Sequence, residues 1–293
     1  MNAESTNRAW IDYQTVVSEG RLSHVIDIDN DTLLLNRNDG FYTSGMRYER
    51  RYAMQDAGNL IVYGWRIGQD QYTASDIKLP AEQVAPTDHP YAGWLYGGFF
   101  KEKHRSDGSH ARYGIDIGCI GPCAGGEWTQ TQFHRLINQP LPRGWSRQVK
   151  NELGVVFHAD VAPVRWALSS SIDLAPSVNA RFGNIFTDVG AGLLLRAGRL
   201  NILPGQSTFH AFLRADLHAV AYNATLQGGY FSNGNPHTVE PKRFVGEAEI
   251  GVMWGDETYG AKMSVVRRGN EIRELPDSRG AQNYLRLQFS YTP

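Results

Sequence analysis

The chain has no apolar run approaching the roughly eighteen residues of a membrane-spanning helix, so any passage through a bilayer must be made by strands. Charge of one sign is missing too: 29 Lys and Arg against 30 Asp and Glu leave a net charge of -1 over 293 residues, without the basic footprint of a nucleic-acid binder. Only two cysteines occur, Cys119 and Cys123, and their spacing across Ile-Gly-Pro fits neither a zinc ribbon nor a redox Cys-x-x-Cys. A local disulfide and a pair of small buried thiols both stay open. Internal repeats, low-complexity segments and charge runs are absent, and no Gly-x-Ser-x-Gly elbow marks a serine nucleophile. The opening Met1-Asn-Ala-Glu-Ser-Thr-Asn-Arg8 lacks the hydrophobic core of a secretory signal. An exported destination then requires a processed form with an added Met; a cytoplasmic protein is the alternative.

Glycine is plentiful at 31 residues and aromatics make up 11%. The mean hydropathy of -0.41 looks soluble, yet a transmembrane barrel puts only alternate residues in lipid and averages just as low. Alternation is what the chain shows. Leu213, Ala215, Leu217, Ala219 and Ala221 interleave with Arg214, Asp216, His218, Val220 and Tyr222. Ile61, Tyr63, Trp65 and Ile67 repeat the pattern, as do Leu285, Leu287, Phe289 and Tyr291 against Arg286, Gln288 and Ser290.

Twelve strands are expected, near residues 22–31, 41–52, 58–70, 91–102, 111–120, 151–162, 164–177, 183–197, 208–222, 243–254, 259–270 and 281–291. An even count suits a closed antiparallel barrel. The long connections, near 71–90, 121–150 and 223–242, all follow odd-numbered strands, whereas Met54–Ala57, Ala162–Pro163 and Gly255–Glu257 are brief; the connection after strand seven is short and breaks the rule. Short periplasmic turns alternating with longer outer loops would sort them this way; a soluble β-sandwich has no reason to. The expected fold is therefore all-β, a twelve-stranded antiparallel outer-membrane barrel forming one domain over 1–293, with residues 1–21 left unassigned.

One segment breaks the strand rhythm. Gly121-Pro-Cys-Ala-Gly-Gly-Glu-Trp-Thr-Gln-Thr-Gln-Phe-His134 reads as a short helix in an outer loop, with Gln130 and His134 four apart on one face. Amide and imidazole can then address one substrate, although a surface helix with a solvated His has the same spacing.

Several motifs together resemble the lipid A 3'-O-deacylase family of Gram-negative outer membranes. They are Asp29-Asn30-Asp31, Gly40-Phe-Tyr-Thr43-Ser-Gly45, Gly68-Gln-Asp-Gln-Tyr72, Pro90-Tyr-Ala-Gly-Trp-Leu-Tyr96, Asp116-Ile-Gly-Cys-Ile-Gly-Pro122 and Gln130-Thr-Gln-Phe-His-Arg-Leu-Ile137, then Gly144-Trp145 and Asn151-Glu152. The resemblance is specific over residues 24–152 and thinner beyond, where Gly183-Asn184 and the strand rhythm carry it. It implies a twelve-stranded barrel, monomeric among outer-membrane lipids, whose outward-facing site hydrolyses the 3' acyloxyacyl ester of lipid A in lipopolysaccharide with calcium (Ca2+). The family's essential His falls on His134, its Gln on Gln130, its Asn-Asp pair on Asn30 and Asp31, and its turn Thr on Thr43. The only basic residue for its substrate-binding position is Lys78, across a gapped match. The chain departs from the usual barrel terminus, since Thr292 and Pro293 follow the aromatic Tyr291.

Parity places Asp27, Asp29 and Asp31 on one face of the first strand and Thr43, Arg47 and Glu49 on one face of the second, so Asp31 and Thr43 are expected to point inward at the outer rim. Plain turn chemistry is the alternative for Asn30-Asp31. These groups suggest hydrolysis by an activated water, with neutral imidazole (pKa about 6.5) as general base. Calcium, which prefers oxygen ligands, would be held by Asp31 and Asn30 with Thr43. Two other classes compete: a barrel of this family without activity that serves as a structural or lipid-binding protein, and a soluble β-sandwich hydrolase or binding module.

Overall fold

Twelve long antiparallel strands form a closed barrel in the computed structural model, which describes residues 12–34 and 40–293. In chain order they are β1 (Arg21–Asn30), β2 (Phe41–Asp56), β3 (Asn59–Thr73), β4 (Ala92–His104), β5 (His110–Ile120), β6 (Glu152–Ala162), β7 (Ile172–Gly183), β8 (Phe186–Arg199), β9 (Thr208–Asn223), β10 (Phe244–Gly255), β11 (Tyr259–Arg268) and β12 (Gln282–Tyr291). Each pairs with its neighbours in sequence, and β1 closes the ring against β12 from His24↔Tyr291 to Asn30↔Leu285. Closure leaves no open sheet edge, the condition a strand must meet to cross hydrocarbon. Among the described residues no helix is long and apolar enough to cross a membrane.

The seventh strand departs from expectation. Residues 163–171 make a hairpin arm rather than a tight turn at Ala162–Pro163: the N–H groups of Leu168 and Ser169 both donate to Ile172 O, and the two-residue strand Trp166–Ala167 pairs back onto Leu174 and Asp173. The alternation read from 164 onward belongs partly to that arm. β7 starts and ends later, pairing with β6 from Val156↔Gly183 to Val161↔Val178.

Alternation sorts the side chains as a barrel in lipid requires. Ile26, Met46, Ile67, Phe99, Ile117, Phe157, Leu193, Leu217, Ile250, Met263 and Phe289 stand exposed on the outer wall. The opposite parity carries charge. Asp29 accepts from Arg47 Nη2 at 2.6 Å and Arg286 Nε at 2.9 Å, Arg47 Nη1 reaches Asp70 at 3.1 Å, and Arg112 bridges Glu49 and Glu102. At the long-loop end the lumen is sealed by Tyr42, Tyr72, Trp94, Tyr96, Ile120 and Tyr284, with Val149, Ile185 and Ala224 packed over them from the connections. At the short-turn end it opens into a cavity of about 1220 Å³ lined by Arg51, Glu102, His104, His110 and Arg112 among others.

Residues 12–19, within the segment left unassigned, form a helix, α1. Asp12 Oδ2 accepts from Tyr63 Oη and Lys101 Nζ, each at 2.7 Å, on outward-facing residues of β3 and β4 near the short turns. The helix therefore clasps the outside of the wall. Residues 1–11 of that segment lie outside the described residues.

Folded protein should need detergent for extraction and should show heat-modifiable gel migration, because a closed barrel resists unfolding. Arg47→Leu strips a guanidinium from the buried Asp29 and Asp70, a loss of about 3 kcal/mol, so its band should convert to the unfolded position at lower temperature. Conversion at the wild-type temperature would show that these ion pairs do not hold the barrel.

Candidate functional site

The helix expected around Gln130 is present as α2 (Gly126–Leu136) in the connection after β5. Glycine makes its start: Gly121 (φ 97°) and Gly125 (φ 69°) take backbone conformations that disfavour side chains, around a turn at Pro122–Ala124. Glu127 in the first turn and Arg135 in the last complement the helix dipole, and Asn138 (φ 55°) ends the run in the left-handed region. Its buried face carries Gly126, Gln130 and His134. Cys119 and Cys123 are joined by a disulfide with Cα atoms 6.1 Å apart, which staples the end of β5 to the turn that opens the helix.

α2 lies against the outside of the barrel. Gln69 shares the outward parity of Trp65 and Ile67 on β3, and its Nε2 donates to Ala124 O at 2.6 Å. Gly93, outward on β4 with Leu95 and Phe99, faces the same turn, where an added Cβ would stand 3.1 Å from that of Ala124. Gly126 meets the Trp145 ring so closely that a Cβ there would lie 2.7 Å from it. Two glycines thus let helix, indole and wall come together.

The inward placement expected for Thr43 is overturned. β2 is bulged between Tyr42 and Ser44, so Tyr42 pairs with Tyr72 and Ser44 with Gln71, leaving Thr43 as the extra residue. One inserted residue reverses parity beyond it. Tyr42 takes the inward position, donating from Oη to Asp29 Oδ2 at 3.0 Å, while Thr43 turns to the wall side and shares a 2.6 Å hydroxyl contact with Thr73. Asp27 and Asp29 keep their lumenal side, but Asp31 lies past the strand end in the connection. Its N–H donates to Thr43 O at 3.4 Å and its Oδ2 accepts from Gly40 N–H at 2.9 Å. Asn30 Oδ1 accepts from Leu33 N–H at 3.1 Å, so the turn chemistry considered for this pair is present.

Each helix group has a fixed orientation. His134 is 6% exposed and its Nδ1 lies 2.7 Å from Pro140 O. A carbonyl only accepts, so Nδ1 carries the proton and, in the neutral ring, Nε2 keeps the lone pair. Gln130, 3% exposed, accepts at Oε1 from Trp145 Nε1–H at 2.8 Å, which points its Nε2 the other way; that buried nitrogen has no partner among the described residues. Trp145 and Pro140 were not singled out as site residues, although Gly144-Trp145 stood among the motifs; Thr73 had no signal, because its role follows from the bulge.

The two halves of the site meet through packing. Thr43 touches Thr73, whose neighbour Ala74 packs with Tyr91 and Trp145, and Trp145 holds Gln130. Lys78 is exposed in the loop after β3, its N–H donating to Asp76 Oδ1 at 2.9 Å, and that loop is tied to the segment after α2 by Arg143 N–H to Ile77 O at 2.9 Å. Its ammonium contacts none of the other candidates in the described residues. Nearby, His89 stacks on Tyr72 with ring centroids 5.5 Å apart and caps the lumen; burial pushes its imidazole pKa down.

Asn30, Asp31 and Thr43 offer an amide oxygen, one carboxylate and a hydroxyl, all buried. In donor type they fit a hard cation. Among the described residues no three His, Cys, Asp or Glu cluster as metal ligands.

The profile of the family described as "Outer membrane protein LpxR" matches residues 3–292. LpxR from Salmonella typhimurium is similar in fold, with a TM-score of 0.77, 22% identity, and 92% of this chain and 100% of that chain covered. The β domain of the Bordetella autotransporter BrkA (TM-score 0.52, 10% identity, covering 93% and 98%) is similar as well. So is the COG4313 outer membrane channel of Pseudomonas putida F1 (0.51, 11%, covering 94% and 96%). No curated protein matches the sequence.

Denatured, unreduced protein should bind no maleimide, and reduction should expose two thiols from Cys119 and Cys123. Labelling of both before reduction would show that the staple at the head of α2 is open.

Proposed function

The chain belongs to the LpxR family of outer membrane proteins, and on that footing we propose that it is a carboxylic ester hydrolase, a lipid A 3'-O-deacylase acting on lipopolysaccharide at the extracellular side of the outer membrane. The observation that carries the reading is the buried face of α2, where Gln130 and His134 are both held in one orientation against the outside of the wall. A lipid substrate can reach that face sideways, without entering the sealed lumen.

The chemistry assigned to these residues is ester hydrolysis by water. With Nδ1–H held by Pro140 O, His134 presents Nε2 to accept a proton from the attacking water and return it to the departing alkoxide. Acid and alcohol result, and no covalent intermediate is needed. Gln130, fixed through Oε1, directs its NH2 group at the water or the ester oxygen. Asn30 and Asp31, with Thr43, would hold a calcium ion, which supplies positive charge to stabilise an oxyanion. Lys78 is assigned to substrate binding through lipid A's negative charge, and the protein works as a monomer.

Mass spectrometry of lipid A from a host lacking this activity, with and without the protein, tests the reading. Loss of the 3'-linked acyloxyacyl group is the expected result; unchanged lipid A in the presence of folded protein would sink it. His134→Ala or His134→Asn should lower deacylation by about 10²- to 10⁴-fold with the barrel still heat-modifiable. Wild-type rate should rise with pH through the histidine range, because the deprotonated ring is the active form. A folded variant that turns over near the wild-type rate would remove His134 from the mechanism.

Chelation of calcium should abolish turnover, and calcium should restore it better than magnesium, since neutral oxygens beside one carboxylate suit the larger and more flexible ion. Asp31→Ala should reproduce the chelated state. Calcium-responsive turnover in that variant would leave Asn30-Asp31 with its turn role alone.

A further inference from the structure

The solvent side of α2 is divided in two. At about 3.6 residues per turn, Trp128, Gln132 and Leu136 fall in one row flanked by Phe133, whereas Glu127, Thr131 and Arg135 fall in another. The first row is apolar and open at both ends, with Trp128 69% and Leu136 81% exposed around a half-buried Gln132; the second is polar, with charges at Glu127 and Arg135. Ile137 and Leu141, just past the helix end, are exposed as well. A helix in water has no reason to sort its exposed side, but one lying at a membrane interface does.

Position supplies the occupant. The base of α2 rests on outward-facing positions of β3 and β4, through Gln69 and Gly93. The adjoining lipid-side positions of the same rim are Leu95, Ile117 and Leu153, all exposed. The apolar row of α2 thus belongs to a helix mounted on the same rim as the lipid-facing band. From this we infer that the Trp128–Leu136 face docks into the acyl-chain layer of the outer leaflet while Glu127 and Arg135 stay at the headgroup level. The inference rests on the proposed membrane orientation and adds a partner surface to the site: the buried Gln130–His134 face then opens at acyl-chain depth.

The test uses single cysteines carrying a nitroxide, introduced without reduction so that Cys119–Cys123 stays closed. Trp128→Cys and Leu136→Cys are compared with Ile117→Cys on the barrel wall and Glu127→Cys on the charged row. All are reconstituted in phosphatidylethanolamine–phosphatidylglycerol vesicles, keeping only protein with a heat-modifiable band; either apolar-row variant suffices if the other fails to fold. Labels at 128 and 136 should match 117, with oxygen accessibility relative to a water-soluble nickel chelate several-fold above that at 127. Nickel accessibility equal to that at 127 would overturn the inference. So would shielding from both reagents that varies with protein density, which would mean that a second copy covers the face. Deacylation is measured separately: an inactive wild type with lipid-buried labels supports this inference while failing the proposed activity, and an active one with water-exposed labels fails the inference alone.

Discussion

Asp29 is the group on which the arrangement turns. Fully buried, its carboxylate takes hydrogen bonds from Arg47, Arg286 and the Tyr42 hydroxyl, and so joins β1 to β2 and, across the closure seam, to β12. Tyr42 and Arg47 also reach Asp70, which brings in β3. A carboxylate this deep is tolerated only when paired and hydrogen-bonded on several sides. The lumen must therefore present both guanidinium groups and the phenol at one level, and this requirement reaches the backbone of β2.

Tyr42 can meet Asp29 only if it faces inward, yet Arg47 on the same strand must do so too, and five residues of regular strand would put them on opposite faces. The bulge between Tyr42 and Ser44 resolves the conflict, and the residue it expels is Thr43. The lumenal ion pairs thus help to place an external hydroxyl beside Thr73. Both ends of the lumen are then accounted for: aromatic side chains seal one, and the cavity at the other lies at the far end of the strands from Gln130 and His134. The chemistry proposed for this protein is assigned to neither end but to the outer wall under α2.

The barrel was legible because its signal repeats: period-two alternation on strand after strand, and long connections confined to odd positions. The helix was legible from Gln130 and His134 at one-turn spacing, and the lumenal side of Asp27 and Asp29 from simple parity. Thr43 was misplaced because a bulge leaves no composition signature in Phe-Tyr-Thr-Ser-Gly; it is set by Asp29, which pairs through space. The start of β7 was misplaced for a related reason, since Trp166–Ala167 alternates like a barrel strand but pairs only within its own hairpin. Trp145 owes its role to one indole N–H meeting Gln130, a contact fifteen residues apart that no periodicity announces.

Helix α2 has eleven residues, too few to hold together alone, so its order comes from what grips it. The disulfide and Gln69 fix its start; beyond its end, His134 binds Pro140 O, Arg143 N–H binds Ile77 O, and Val149 N–H binds Tyr91 O. His134 thus belongs to the mounting as well as to the buried face, because the proton that fastens Nδ1 to the loop also sets which ring nitrogen can take another. None of these ties is a strand-pairing bond. The barrel can therefore stay closed while the helix shifts, and alignment of Gln130 and His134 with the wall beneath them is the property most exposed to changes in the connection after β5.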